Sequence, residues 1–231
     1  MNKKLLISLI IGNAAVSALS ASVTHATSSW KSGFYLGAGV GVGHLKTETF
    51  AGFLANDTKK YTISDNNILG NIFLGYDYSF ADSWIFGIEG SAGLSTLDGK
   101  DNSVVDLAAD IFDRTEAKER YNCAFAGRLG RTVGNGSTLV YVRVGARFSN
   151  FRFTQQTATA GALSSKLTET KTKVAFEPGI GFQTKLSQSV SLGSEYTYAW
   201  YNSSRINDPD GSHHKFKPEV GRFMVRITFH T

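Results

Sequence analysis

Apolar and polar residues alternate along most of this chain, most clearly over residues 66–97, where two alternating runs are joined by almost nothing. In Trp84, Phe86, Ile88, Gly90, Ala92 and Leu94 every second residue is apolar or small, and Gly87, Glu89, Ser91, Gly93 and Ser95 lie between them. A period of two gives a strand one greasy and one polar face. With a turn of only Ala81, Asp82 and Ser83, the stretch predicts one hairpin. Tyr76, Tyr78, Phe80 and Trp84 cluster on the greasy face beside that turn, as an aromatic belt does at the edge of a bilayer.

The same alternation predicts six further strands. The first runs from Gly33 to about Leu45, with Phe34, Leu36, Ala38, Val40 and Val42 opposite Tyr35, Gly37, Gly39, Gly41 and Gly43. Its glycines fall every second residue and no helix follows, which argues against a dinucleotide loop and for an inner face that makes room for larger side chains. Arg120 to Thr132 and Thr138 to Phe153 form another pair around Asn135-Gly136, a tight-turn signal. Val174 to Lys185 follows, with Pro178 predicting a local irregularity because it lacks a ladder donor. Val190 to Trp200 and a last strand carrying Phe223, Val225, Ile227 and Phe229 complete the set.

Connections alternate in length. Polar segments at Lys46–Ser64, Asp98–Lys118, Thr154–Thr170 and Asn202–Lys215 read as long loops, with a short helical turn around Val104 to Ile111, whereas the other three links are tight. Asp101, Asp106, Asp110, Asp113 and Glu116 do not have the spacing of a calcium loop and read as solvated. Long and short links in turn are the signature of an all-β, eight-stranded antiparallel transmembrane barrel with four long external loops and short periplasmic turns. The runner-up, a soluble barrel of lipocalin type, keeps its apolar face inside. The polar face decides against it: Asp77, Glu89, Glu177 and Glu195 with Arg128, Arg143, Arg147, Lys185 and Arg226 are balanced in sign and mixed with Gly and Ser, as a narrow polar lumen requires.

The amino terminus sharpens the reading. Lys3 and Lys4, the apolar run Leu5 to Ile11, and a small-residue tail predict a secretory signal over residues 1–26, cut after Ala26, with the barrel domain at 27–231. The apolar run is shorter than the roughly 20 residues of a spanning helix. Of 231 residues, 24 are Gly and 3 Pro, which suits long, tightly packed strands. Cys123 is the single cysteine, excluding an internal disulfide, and its place on the apolar face points it at lipid. Net charge is +5, or +3 without Lys3 and Lys4, too mild for nucleic acid.

The run Ile72-Phe73-Leu74-Gly75-Tyr76-Asp77-Tyr78, then Trp84 and Gly87-Ile88-Glu89-Gly90, resembles the second and third strands of the small Gram-negative outer-membrane barrel proteins of opacity-like and OmpA-like kind, the porin family. Gly127-Arg128-Leu129-Gly130, residues 139–145 and Leu192-Gly193-Ser194-Glu195-Tyr196 agree. The resemblance covers essentially the whole mature chain and implies a place in the cell outer membrane, among lipid and lipopolysaccharide, after delivery by the barrel-assembly machinery. Such proteins usually end on an aromatic residue, whereas His230 and Thr231 follow Phe229 here. No further domain is expected after the last strand.

Candidate chemistry is sparse. A lipid hydrolase needs Ser and His within reach, and the histidines outside the signal, His44, His213, His214 and His230, form no His-x-Ser motif. His213 and His214, with Tyr201 at the base of their loop, are candidate ligands for haem iron or a divalent metal, a capacity the resemblance allows. Arg128, Arg143 and Arg147 are expected to pair with Glu89, Glu177 and Glu195 and plug the lumen rather than line a pore. The sequence therefore reads as a non-enzymatic surface barrel without cofactor, metal or nucleic-acid partner. A host or matrix ligand at its external loops is an expectation by analogy; a hemin-binding surface protein and a small porin are the alternatives.

Overall fold

A computed structural model describes residues 30–53, 57–80, 83–106, 111–134, 136–159, 162–207 and 213–231. The expected signal over 1–26, the turn residues Ala81 and Asp82, and Asn135 lie outside them. Ten strand segments follow in order: β1 (Gly33–Phe53), β2 (Asp57–Phe80), β3 (Trp84–Ser95), β4 (Asp98–Asp106), β5 (Ile111–Val133), β6 (Thr138–Thr159), β7 (Ala162–Lys185), β8 (Val190–Tyr201), β9 (Ser204–Asn207) and β10 (His213–His230). Pairing is antiparallel in the order β1-β2-β3-β5-β6-β7-β8-β10, with β4 on β5 and β9 on β10, and β1 closes on β10 from Tyr35↔His230 to Gly52↔His213. The segments make eight staves, because β3 and β4 are one stave broken at Thr96 and Leu97, and β8 and β9 another broken at Asn202 and Ser203.

The three tight links and both described chain ends share one rim. Gly134 and Gly136 take φ of +60° and +82°, the left-handed region that a two-to-five-residue hairpin turn demands. Leu186 N–H donates to Val190 O at 2.8 Å, and Thr231 N–H to Phe34 O at 3.1 Å. At the opposite rim the strands run far past the expected limits. The β1–β2 ladder continues from Val42↔Ile68 to Phe53↔Asp57, and β5 and β6 remain paired up to Ile111↔Thr159. The four segments read as loops are therefore largely strand. Along the sequence these extensions mix Thr, Lys, Asp and Ser with scattered apolar residues, so they carry no period-two hydrophobic signal, although ladder pairing continues through them. Of the helical turn expected near 104–111, residues 107–110 lie outside the described residues, and its two ends are strand, with Val104 opposite Phe112 and a register shift beyond it.

Pro178 acts as anticipated. Ladder pairing of β7 with β8 is interrupted between Phe176↔Trp200 and Gly179↔Thr197, with the register unchanged on either side. The β5–β6 ladder does slip: Glu119 faces Phe151 and Asn122 faces Ser149, leaving Arg120 and Tyr121 opposite Asn150 alone. That is a β-bulge, which inserts one residue and re-aims its neighbours.

Outward residues are apolar around the whole wall, with Ile72 65%, Phe125 62% and Leu94 73% exposed. On a soluble protein such a belt would be an aggregation liability; in lipid it is the solvent-matched face, and it rules out the inside-apolar arrangement of a soluble ligand barrel. On β2 the belt runs from Ile68 to Phe80, about 40 Å along the strand, or ~30 Å of height at a tilt of about 40°. The inside is filled in three layers. Trp30, Ile85, Leu139 and Tyr141 pack at the tight-turn rim, charged side chains fill the middle, and Leu45, Leu69, Leu97, Phe151, Phe153 and Val220 belong to an apolar layer above them.

Val144 sits near the middle of the β6 belt. Val144→Arg is expected to destabilise the inserted barrel by about 2–4 kcal/mol, read from urea unfolding in phospholipid vesicles, whereas Thr172→Arg, outward above the belt, leaves the midpoint nearly unchanged.

Candidate functional site

Alternation brings the polar residues of all eight staves into one lumen. Near the tight-turn rim, β2 supplies Asp77 and β5 supplies Arg128, which donates from Nε at 3.0 Å and from Nη2 at 2.5 Å in a two-pronged pair. The Arg128 guanidinium also lies 4.3 Å from the Tyr35 ring centroid. Gly87 makes this possible, because a Cβ there would overlap the Asp77 carboxylate and the Arg128 side chain.

In the next layer two carboxylates share two arginines. Glu89 accepts from Arg226 Nη2 at 2.5 Å, from Tyr35 Oη at 3.1 Å and from Arg143 Nη1 at 3.5 Å. Glu195 accepts from Arg226 Nη1 and Arg143 Nη1, both at 2.5 Å, and from Tyr141 Oη at 2.9 Å. The Arg226 guanidinium stacks 3.7 Å from the Phe73 centroid. Higher still, Glu177 accepts from both Nε and Nη2 of Arg147 and from Arg222 Nη1 at 3.4 Å. Arg222 Nη2 then donates to Glu119 at 2.7 Å and to Tyr201 Oη at 3.1 Å. Five carboxylates and five arginines, all nearly solvent-free, thus form one network without net charge. A cavity of about 10 Å³ lined by Asn71, Asn122, Arg147, Glu195 and Arg222 lies within it, room for about one water molecule.

The structure brings together Asp77, Glu89, Arg128, Arg143, Arg147, Glu177, Glu195 and Arg226. It adds Glu119 and Arg222. Glu119 is missed by the alternation because the bulge at Arg120 and Tyr121 reverses the parity of β5, turning Glu119 inward where a regular strand would point it out. Arg222 is on the polar face of the last strand by alternation, but the nearer of its two acidic partners, Glu119, is hidden by the same bulge. Lys185 is also buried, at the tight-turn rim, with its Nζ 5.1 Å from the Trp30 ring centroid.

Of the candidate ligand trio, Tyr201 alone has a described side chain. Tyr201 is buried in the lumen with its hydroxyl engaged by Ser149 at 2.6 Å and by Arg222. His213 sits six residues beyond Glu219, the partner of Trp200, about 20 Å farther along β10. The side chains of His213 and His214 lie outside the described residues. Among the described residues no group of three or more His, Cys, Asp or Glu is arranged to hold a metal. His44 shares a 2.8 Å hydrogen bond with Asn66 on the outer face.

One arrangement corrects the expectation that no Ser and His come within reach. Ser191 Oγ and His230 Nε2 are 2.7 Å apart, with Gln183 Nε2 donating to Ser191 Oγ at 2.5 Å. No local motif announces the pair, since it forms only when β10 is registered against β8, Thr228 facing Ser191. Ser191 is fully buried, and the His230 ring packs edge-on against Trp30 at 5.1 Å. The geometry ties the rim together; a nucleophile would need to be reached by substrate.

The sequence model of the family described as the outer membrane protein beta-barrel domain matches residues 11–222. No curated protein matches the chain. Among solved structures the chain is similar to the outer membrane protein OprG from Pseudomonas aeruginosa, at 15% identity and TM-score 0.55, over 89% of this chain and 99% of that one. It is also similar to Ail of Yersinia pestis in complex with the heparin analogue sucrose octasulfate, at 14% identity and TM-score 0.43, over 87% and 100%. The outer membrane protease OmpT from Escherichia coli follows at 8% identity and TM-score 0.49, over 89% and 100%. The likeness to OprG bears on the fold alone.

Removing one partner of the network strands its neighbours in a dry lumen. Glu195→Leu, which leaves Arg143 and Arg226 short of a counter-charge, is expected to cost about 3–5 kcal/mol, read as a lower unfolding temperature by heat-modifiable electrophoresis. Adding Arg143→Leu recovers part of the loss.

Proposed function

This chain belongs to the outer membrane protein β-barrel domain family and resides in the cell outer membrane, and on that premise we propose that it is a sealed, non-enzymatic scaffold with a structural and surface-interaction role. The observation that carries the reading is the filled lumen: a neutral ten-membered charge network lies between two apolar layers. Eight staves enclose an interior just wide enough for side chains, and here long arginines occupy it. Water-filled passage would require several ion pairs to open together, each at the cost of an uncompensated buried charge.

The part of the protein that meets the outside is then the set of paired hairpins that rise beyond the apolar belt. Rigid scaffolds with variable connections are where recognition is usually built, and a host or matrix ligand would be met there. In this reading the mature chain starts near Thr27 after removal of residues 1–26, and lipopolysaccharide and the assembly machinery are its partners in the envelope.

In planar bilayers the purified barrel is expected to show no steady conductance, and ohmic steps that scale with salt would overturn the sealed scaffold. A fluorophosphonate probe is expected to leave Ser191 unlabelled; labelling abolished by Ser191→Ala would make the protein an enzyme. If the hairpins carry adhesion, cells bearing a variant trimmed beyond Lys46, Asp98, Thr154 and Glu219 should lose attachment to matrix-coated surfaces while the barrel still migrates as a folded, heat-modifiable species.

A further inference from the structure

The outer wall above the apolar belt differs between its two sides. Along β1 and β10, cations stand opposite acids: Lys46 faces Glu219, and Lys217 faces Glu48. Along β5 and β6 a cation stands opposite a cation, Lys118 facing Arg152. Like charges directly across an antiparallel ladder repel. Among the described residues Lys118 has Asp98 as its acidic partner, 3.9 Å away, and it remains 44% exposed. Arg120 and Arg152 are exposed and have no ion-pair or hydrogen-bond partner among the described residues. Of the acids described nearby, Glu116 stands two residues farther from the belt, opposite Thr154, and Glu169, beside the Thr170 that pairs with Arg152, is engaged by Lys171 at 2.6 Å.

The position of these cations matters as much as their number. Among the described residues the last outward apolar ones on the adjoining staves are Leu94, Tyr121, Phe148 and Val174, so Arg120 follows the belt directly and Lys118 and Arg152 stand within four residues of it. The bulge places Arg120 beside Tyr121 on the outside. On β7, Thr172 and Thr170 pair with Asn150 and Arg152 and are exposed, adding hydroxyl donors to the same level. Aromatic rings at the hydrocarbon edge with cations just beyond them match the order of acyl chain and charged headgroup in a lipid leaflet. This rim carries the long hairpins and is the outward-facing one.

We propose that Lys118, Arg120 and Arg152 form an anion site for the phosphate of a phosphorylated glycolipid in the outer leaflet, an inference that rests on reading the chain as an outer-membrane surface barrel. Guanidinium forks match phosphate oxygens in pairs, and a bound phosphate relieves the repulsion between Lys118 and Arg152. The site belongs to the lipid rather than to soluble phosphate because its apolar floor of Tyr121 and Phe148 continues into the belt, where acyl chains lie.

The test is retention of lipid A bisphosphate by the full mature barrel in phosphatidylcholine vesicles, quantified by mass spectrometry after exchange. Wild type is expected to retain it over the dephosphorylated glycolipid, and Lys118→Gln/Arg120→Gln/Arg152→Gln to lose roughly fivefold per neutralised charge. Lys46→Gln/Lys217→Gln is expected to behave as wild type. Equal retention by wild type and triple variant, or no preference for the phosphorylated lipid, overturns the site. Displacement of lipid A by millimolar pyrophosphate at wild-type strength overturns the lipid assignment in favour of free phosphate. Heat-modifiable migration shows that each variant is folded, and Arg152→Gln alone serves if the triple variant does not fold. A folded barrel that loses nothing sinks this site and leaves the surface-barrel reading standing.

Discussion

Hydrocarbon offers a peptide group no hydrogen-bond partner, so every N–H and C=O inside the bilayer must be answered by the chain itself. In this protein the answer is the ladder between β1 and β10, which removes the two edges the sheet would otherwise have. The rest follows from that closure. Outward positions must match lipid, and they are Val, Ile, Leu, Phe and Trp. Inward positions inherit every polar residue of eight strands in a space too narrow for bulk water, and they must therefore satisfy one another. The ten-membered network is the consequence, with glycines such as Gly87 supplying the room that the arginines take.

Such a network is a poor source of stability on its own. Desolvating ten charges costs about as much as their attraction returns. Its contribution is to register: a stave slipped by one residue would turn its charges to lipid and its Val and Phe inward, a state far less favourable than the native one. Glu89 and Arg226 are far apart in sequence yet meet at 2.5 Å, so their pairing discriminates against misaligned closures.

Where lipid dictates the pattern, the sequence is legible. The faces of β1, β3, β6, β8 and β10 can be read residue by residue, as can the sense of the tight turns and the mark left by Pro178. Legibility stops above the belt, where lipid no longer imposes an apolar face. Thr, Lys, Asp and Ser on the extensions of β1, β2, β5 and β6 look like loop because no apolar period distinguishes them, although the ladders continue. It stops again where one residue is inserted, since the bulge at Arg120 and Tyr121 turns Glu119 inward against the parity. The Ser191–His230 contact is illegible for a third reason: it depends on closure between separate strands, and neither residue has a local partner that would betray it.

Above the belt, β4 is laddered to β5 and β9 to β10, while the ladder of β2 with β3 stops at Leu69↔Ser95 and that of β7 with β8 at Ala175↔Tyr201. The single cylinder therefore parts into two leaves, β2-β1-β10-β9 and β4-β5-β6-β7, with no ladder between them among the described residues. Each leaf can gain or shed residues without re-threading the other, because alignment of the whole is settled lower down. Sequence drift outside the cell is in this way insulated from assembly within the membrane, and the two leaves can diverge as separate modules on a shared foundation.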